Sequence, residues 1–321
     1  MVTLNHLFCF WGCLYVIKEY NMLEREYGNG MREIRIYKKG ITRGTTREPP
    51  KQADFFIEPF ENKKIYCSKF VDGDGFTIAK DKRISQQKSI TRTINKIYDY
   101  ANSTVWEWFI TFTFNEKKVD RFDFDSVSKR MSNWLSNMRI KYCADMQYLI
   151  VPELHKDGAW HFHGLFSKCD GLNFQPAINN KKESKFYKCP LVRKGQQVYN
   201  ALRFKFGFSD CTKIKDTKKA SSYITKYITK EVIERTPNKK RYWCSRGLAT
   251  PKEKTLLATY DNFNDFKSKL LLYLSKYYDN VFTNSVELQH GDFENEILYI
   301  RFSEYNGVIP DDEISGIFEV E

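Results

Sequence analysis

The chain has 321 residues, with 52 Lys and Arg against 40 Asp and Glu, a formal net charge of +12, and 41% hydrophobic residues. That length allows one large domain or two ordinary ones with a real core, so an enzyme is possible on size alone. No run of eighteen apolar residues occurs, which excludes a membrane-spanning helix of the usual kind, and Leu4–Ile17 is too short to span and lacks a basic flank. Eight cysteines (9, 13, 67, 143, 169, 189, 211 and 244) fall in no CxxC or paired spacing, which argues against zinc or a disulfide scaffold and for reduced thiols in a cytoplasm. The last 31 residues hold one basic side chain, Arg301, and nine acidic ones, leaving residues 1–290 at +20. Such an excess favours a polyanionic partner such as nucleic acid, with ordinary solubility charge as the competing explanation.

Residues 1–30 differ in composition from the rest of the chain, and Met22 and Met31 come after Leu4–Ile17, so this stretch is expected to be a poorly ordered extension upstream of the functional start or an ordinary packing element. Residues 40–52, GITRGTTREPPKQ, are expected as a basic connection, and 54–79 as a small hairpin around DGDG. From Ser85 the period becomes helical: Ile90, Ile94, Ile97 and Tyr98 share one face, while Lys88, Arg92 and Lys96 lie elsewhere. The run VWEWFITFTFNE reads as a strand with Trp108, Ile110, Phe112 and Phe114 on one side and Phe109, Thr111 and Thr113 on the other. A helix is expected over 126–142 with Asp125 as N-cap. MQYLIVPEL, the turn HKDGA and WHFHGLF read as a β-hairpin, 168–200 as a long polar loop, and FKFGFSDCTKI as another strand. Asp216 caps a helix expected to run to about Ile233; an amphipathic helix with Phe263, Phe266, Leu270, Leu274 and Tyr277 and strands near 282–289 and 296–303 complete the chain. The order α, β, α, β, β, β, α over 85–233 predicts an α+β fold, an antiparallel sheet covered by helices. The chain thus divides into three regions: an N-terminal basic extension over 1–84, a central domain over 85–235 and a C-terminal region with an acidic tail over 236–321.

Alternation on a strand puts His161 and His163 on one face with Phe162 on the other. Two neutral imidazoles are a natural pair of ligands for one divalent ion, and the hairpin can bring Glu153 across to the same face as a third. That set has charge −1 and leaves open coordination positions for water or a phosphate oxygen; packed, hydrogen-bonded histidines are the competing explanation. His155, out of phase in the turn, is expected to be solvated. In KKASSYITKYITKE, Tyr223 and Tyr227 lie four apart, and Lys226 and Lys230 each come three residues after a tyrosine. On a helical wheel Ala220, Ile224, Ile228 and Val232 form an apolar stripe with the tyrosines at its rim and the lysines outside. A rim phenol becomes a nucleophile only if its phenolate is favoured and a phosphorus is held in line; amphipathic edge residues with snorkelling lysines are the alternative.

These segments, in order, resemble the HUH endonucleases, specifically the rolling-circle replication initiators of small single-stranded DNA phages and related plasmids. WFITFTF (108–114) resembles the first motif's strand, WHFHGLF the His-hydrophobic-His motif and YITKYITK the tyrosine motif; CSRGL (244–248) is also similar, without an assignable role. The resemblance covers about residues 85–235 and implies a five-stranded antiparallel sheet with the tyrosine helix beside a metal site. Four core strands are readable, leaving the fifth to a segment such as 191–200. It implies that His161 and His163, with Glu153 as third ligand, hold Mg²⁺ or Mn²⁺, and that Tyr223 or Tyr227, beside Lys226 and Lys230, attacks the scissile phosphate, with Tyr223 favoured as the earlier in the motif. It also implies single-stranded origin DNA as substrate, host helicase and polymerase as partners, no membrane, and the cytoplasm of a bacterial host. A relaxase or transposase of the same superfamily, and a non-catalytic single-strand-binding protein that stacks bases on aromatic residues, remain the alternatives.

Overall fold

The structure is a computed structural model and describes residues 7–10, 13–16, 18–43, 76–179, 189–227, 236, 239–278, 280–290 and 293–303. The expected connection over 44–52 and the expected hairpin up to residue 75 lie outside them. The chain is a mixed α+β protein that divides into two compact units, one made of Met1–Glu26, Gly30–Gln86 and Lys252–Glu321, the other of Tyr27–Asn29 and Gln87–Pro251.

The first elements are strands β1 (Leu7–Phe10), β2 (Cys13–Val16), β3 (Lys18–Glu26) and β4 (Arg32–Arg43), followed by the long helix α1 (Phe76–Ser103). The helix therefore begins nine residues before Ser85 and takes in Phe76–Ala79, which its sequence had suggested as part of a hairpin. The second unit continues with β5 (Trp108–Phe114), α2 (Phe124–Lys141), β6 (Tyr148–Leu154), β7 (Trp160–Phe166), β8 (Phe174–Pro176), β9 (Val192–Arg193), β10 (Gln196–Gln197), β11 (Tyr199–Ala201), β12 (Gly207–Lys213), α3 (Thr217–Thr225) and β13 (Trp243–Cys244). Last come β14 (Lys252–Leu256), α4 (Phe263–Tyr277), β15 (Phe282–His290) and β16 (Phe293–Phe302).

In the second unit seven strands form one sheet in the order β13-β6-β7-β5-β12-β11-β8, with antiparallel pairing throughout. Strict alternation along β5 buries Trp108, Ile110, Phe112 and Phe114. These meet Phe162 and Phe166 of β7 and the apolar stripe of α2, Val127, Met131, Trp134 and Leu135, in one aromatic core. Phe112 is fully buried and its ring touches those of Trp134, Phe166 and Phe204. Gly164 faces this core: a Cβ there would lie 2.7 Å from the Phe166 ring and 2.9 Å from Ile150, so only glycine lets the neighbouring strand and ring close over β7.

The cap of α2 is Asp123, not Asp125; its carboxylate accepts the backbone N–H groups of Asp125 and Ser126, because the helix starts at the buried Phe124. The expected loop over 168–200 carries β8, the tight β9–β10 hairpin and the start of β11, which supplies the additional strand beyond β12. The opposite face of the sheet is covered only in part. Leu149, Val151 and Leu165 pack there with Ile90, Ile97 and Ala101 of α1 and Ile224 of α3, and the buried Ser221 hydroxyl donates to the Ala101 carbonyl at 2.8 Å, tying α3 to α1.

The first unit has its own five-stranded antiparallel sheet, ordered β14-β3-β4-β16-β15. Segments expected as separate regions, 1–84 and 236–321, thus join by strand pairing, and Lys18–Glu26 is a strand that buries Tyr20, Met22 and Leu23. Helix α4 lays Phe263, Phe266, Leu270 and Leu274 against Met22, Ile34, Ile36, Leu298 and Ile300. On the other face the fully buried Glu33 carboxylate binds Arg35 at 2.6 Å and Arg301 at 2.7 Å, with Arg25 at 3.6 Å. Burial alone would raise the Glu33 pKa, but Arg35 and Arg301 outweigh it and hold the carboxyl below its ordinary range.

Both cores can be tested by substitution. Phe112→Ala should cost about 3–5 kcal/mol by cavity formation, read as a lower chemical-denaturation midpoint by tryptophan fluorescence. Since the folded Glu33 pKa is depressed, its contribution is present above the unfolded value of about 4.3 and is lost as pH falls through the lower folded one. Stability measured at descending pH should drop below about pH 4 in the native protein, and Glu33→Gln should flatten that drop while costing about 3–5 kcal/mol at neutral pH.

Candidate active site

Register places the chemistry. On the face opposite the aromatic core, three transverse rows of side chains cross β6, β7, β5 and β12. Leu149, Leu165, Phe109 and Thr212 form the first; Val151, His163, Thr111 and Asp210 the second; Glu153, His161, Thr113 and Phe208 the third. The rows grade from apolar under α1 and α3 to polar at the open end. His163, in the middle row, is 6% exposed, whereas Glu153 and His161 are half-buried. The hairpin turn that pairs Glu153 with His161 is closed by a hydrogen bond from the His155 N–H to the Ala159 carbonyl at 2.9 Å and by Gly158 at φ 85°.

The three sequence candidates on the hairpin therefore come together. The His163 Nε2–H donates to Glu153 Oε2 at 2.6 Å. Each Nδ1 is engaged from β5: Thr111 Oγ1 lies 3.1 Å from that of His163, and Thr113 Oγ1 3.3 Å from that of His161. With Nε2 of His163 donating, Thr111 serves as donor to Nδ1; a hydroxyl can reverse that role if Nε2 gives up its proton. The threonines lie in a strand whose sequence stood out for its hydrophobic residues, and strand alternation opposite HxH is the signal that points to them.

The hydrogen bond from His163 holds the Glu153 pKa below its ordinary value against the effect of burial, so Glu153 is the carboxylate. Burial, and then the neighbouring His155 and His163, push the His161 pKa down, keeping that imidazole neutral. A neutral imidazole beside an ionised carboxylate is the ligand state that a hard divalent cation needs. Among the described residues no group of three His, Cys, Asp or Glu side chains is closed into a metal cage. In this geometry Glu153 spends its oxygen on His163. The donor set nonetheless fits: two imidazoles backed at Nδ1 by hydroxyls, with an ionised carboxylate on the adjacent strand.

His155 departs from the solvated turn residue expected. It is exposed, but its ring stacks on His161 at 4.9 Å and 25°, and its Nδ1 lies 3.1 Å from Asp157 Oδ1. Asp157 in turn meets Arg121 at 3.5 Å.

The tyrosines arrive from α3, whose N-cap Asp216 accepts the Lys219 N–H at 3.0 Å. Ile224 is buried and Ala220 packs beside it, as the wheel predicts. The Tyr227 ring stacks on His163 at 3.8 Å and 10°, and the Tyr223 ring stands edge-on to it at 5.2 Å and 86°. Phe109 supports the cluster from β5, 5.5 Å from the Tyr223 ring. Burial pushes the Tyr227 phenol up, and its hydrogen bond with Tyr223 acts in the same direction. Tyr223 is the accessible one, 48% exposed. Lys226 is exposed just past the last turn of α3. Lys230, and the expected continuation of the helix to Ile233, lie outside the described residues.

CSRGL has a structural place. Trp243 and Cys244 form β13 beside β6, the Trp243 ring sits in the aromatic core, and its Nε1 donates to Ser132 Oγ at 2.8 Å. Ser245 Oγ accepts the Tyr148 N–H at 3.2 Å. The segment therefore seals the sheet edge next to the strand that carries Glu153.

No helix among the described residues is long and apolar enough to cross a membrane. Comparison with characterised proteins and with solved structures gives no match. Residues 107–232, a span that contains Glu153, both histidines, both tyrosines and both lysines, match the replication-associated protein family named for ORF2 and the gene 2 protein, a family of rolling-circle replication initiators.

Proposed function

We propose that the chain is a replication initiator of the HUH type, which nicks single-stranded origin DNA by tyrosine attack and later rejoins it. The observation that carries this reading is the convergence of Glu153, His161 and His163 with the tyrosine pair, the Tyr227 ring lying 3.8 Å from that of His163. A packed histidine pair would not also require an acidic neighbour, two backing hydroxyls and two phenols at one open end of a sheet.

His161, His163 and Glu153 would hold a Mg²⁺ or Mn²⁺ ion, which when bound supplies polarisation of a phosphate oxygen and charge compensation for the pentacoordinate state. Tyr223, exposed and earlier in the motif, is the first nucleophile. Its phenol oxygen gives up its proton and forms a bond to phosphorus, while the bond from phosphorus to the 3′ oxygen breaks and that oxygen takes a proton. The products are a 5′-phosphotyrosyl link and a free 3′ hydroxyl that can prime synthesis, with no net loss of high-energy bonds before rejoining. Tyr227, four residues on, is placed for a second cleavage while the first ester persists. Lys226 favours the phenolate by its charge, and Lys230 is proposed to do the same for Tyr227. Thr111 and Thr113 act through the imidazoles, fixing ring orientation.

The decisive measurement is a denaturing gel of the protein with Mn²⁺ and a single-stranded oligonucleotide carrying its origin. A covalent adduct should form, and mass spectrometry should find it on Tyr223. Tyr223→Phe with Tyr227→Phe should remove it, and persistence of the adduct would refute the tyrosine assignment. His161→Ala with His163→Ala should abolish cleavage but leave salt-sensitive binding. The double substitution Thr111→Val, Thr113→Val should weaken Mn²⁺ affinity about 10–100-fold, measured by calorimetry. An unchanged affinity would leave the hydroxyls without a part in the site.

A further inference from the structure

We propose that Phe208 is a base-stacking platform that seats a nucleotide next to the scissile phosphate. This deepens the reading of the site as one for single-stranded DNA and rests on it for the occupant. Phe208 is a large aromatic side chain left 69% exposed on β12, in an otherwise ordered part of the sheet. Its register partner is Thr113, whose own partner is His161, so ring, hydroxyl, imidazole and the Glu153 carboxylate stand in one row on one face. Strands lie about 4.8 Å apart, which sets Phe208 about 10 Å from His161, a span of one to two nucleotides.

The surroundings suit a polyanion. Arg193, on the β9–β10 hairpin, reaches Asp210 in the next row of the same face at 2.5 Å, bringing a half-exposed guanidinium beside the ring. The hairpin's turn, Lys194 and Gly195 at φ 48° and 71°, presents a further exposed cation. At the start of β12, Lys118 Nζ donates to the Lys205 carbonyl at 2.7 Å, placing an ammonium at that end of the strand. One ring among charges is too little apolar surface for a protein interface, but it matches the face of one base, with cations left for the backbone. The position is also held: a Cβ on Gly207 would collide with the Thr113 carbonyl, so β12 lies tight against β5 and the ring cannot swing under the sheet.

The test compares fluorescein-labelled dT20 with a 20-mer of abasic units carrying the same phosphates, titrated in EDTA so that cleavage is silent. Phe208→Leu should weaken dT20 binding about tenfold and leave abasic binding unchanged, and Phe208→Trp should bind dT20 as tightly as the native protein. Equal dT20 affinity for Phe208→Leu and the native protein, or equal losses on both probes, would overturn the proposal. The adduct assay is independent: it can fail while base-dependent binding persists, which would sink the nuclease reading and leave a single-strand-binding face.

Discussion

The lock between strand register and the aromatic core is the constraint on which the rest depends. Side chains on β5, β6 and β7 alternate with period two, so Phe112, Phe114, Phe162 and Phe166 can fill the core only if Thr111, Thr113, His161 and His163 face the other way. A slip of one residue would send both imidazoles into a dry aromatic layer and bring phenyl rings to water, and the cost of burying unpartnered polar groups forbids it. Packing under the sheet thereby fixes chemistry on top of it, without any contact between the two.

The site face shows how a polar cluster is tolerated on a folded sheet. Its rows pass from Leu149 and Leu165, sealed beneath α1 and α3, through buried His163 to half-buried His161 and Glu153. Each step toward water carries more charge, and the buried member is the one with partners at both ring nitrogens. Partial burial is also what tunes the groups: it lowers the His161 pKa, while a hydrogen bond keeps Glu153 ionised in the same surroundings. The proposed nucleophile pair uses the same gradient, since Tyr227 lies flat on His163 and Tyr223 remains reachable.

The two units treat charge differently. In the first, buried Glu33 is compensated by arginines inside a sheet, a structural arrangement. In the second, Arg193, Lys118, Lys194 and Lys226 stand at the surface around the site face, where they can meet phosphates. The excess of +20 on residues 1–290 is thus partly internal compensation and partly an outward field.

Local pattern alone determined much of this protein. Alternation identified β5, β6 and β7, helical period identified α2 and α4, and the Asp216 cap placed α3, because each depends on neighbours a few residues away. The pairing of Glu153 with the histidines was readable too, since a five-residue turn leaves few registers. Other features needed the tertiary structure. The cap of α2 shifted to Asp123 because the core takes Phe124, and the supposed loop over 168–200 became strands because β12 offered an edge to pair with. Joining 18–43 to 252–302 in one sheet requires partners more than two hundred residues apart, which no periodicity encodes. The backing threonines, the stacked His155 and the exposed Phe208 emerged only with the register, because strand alternation says which face a side chain takes, whereas pairing across strands decides what stands beside it.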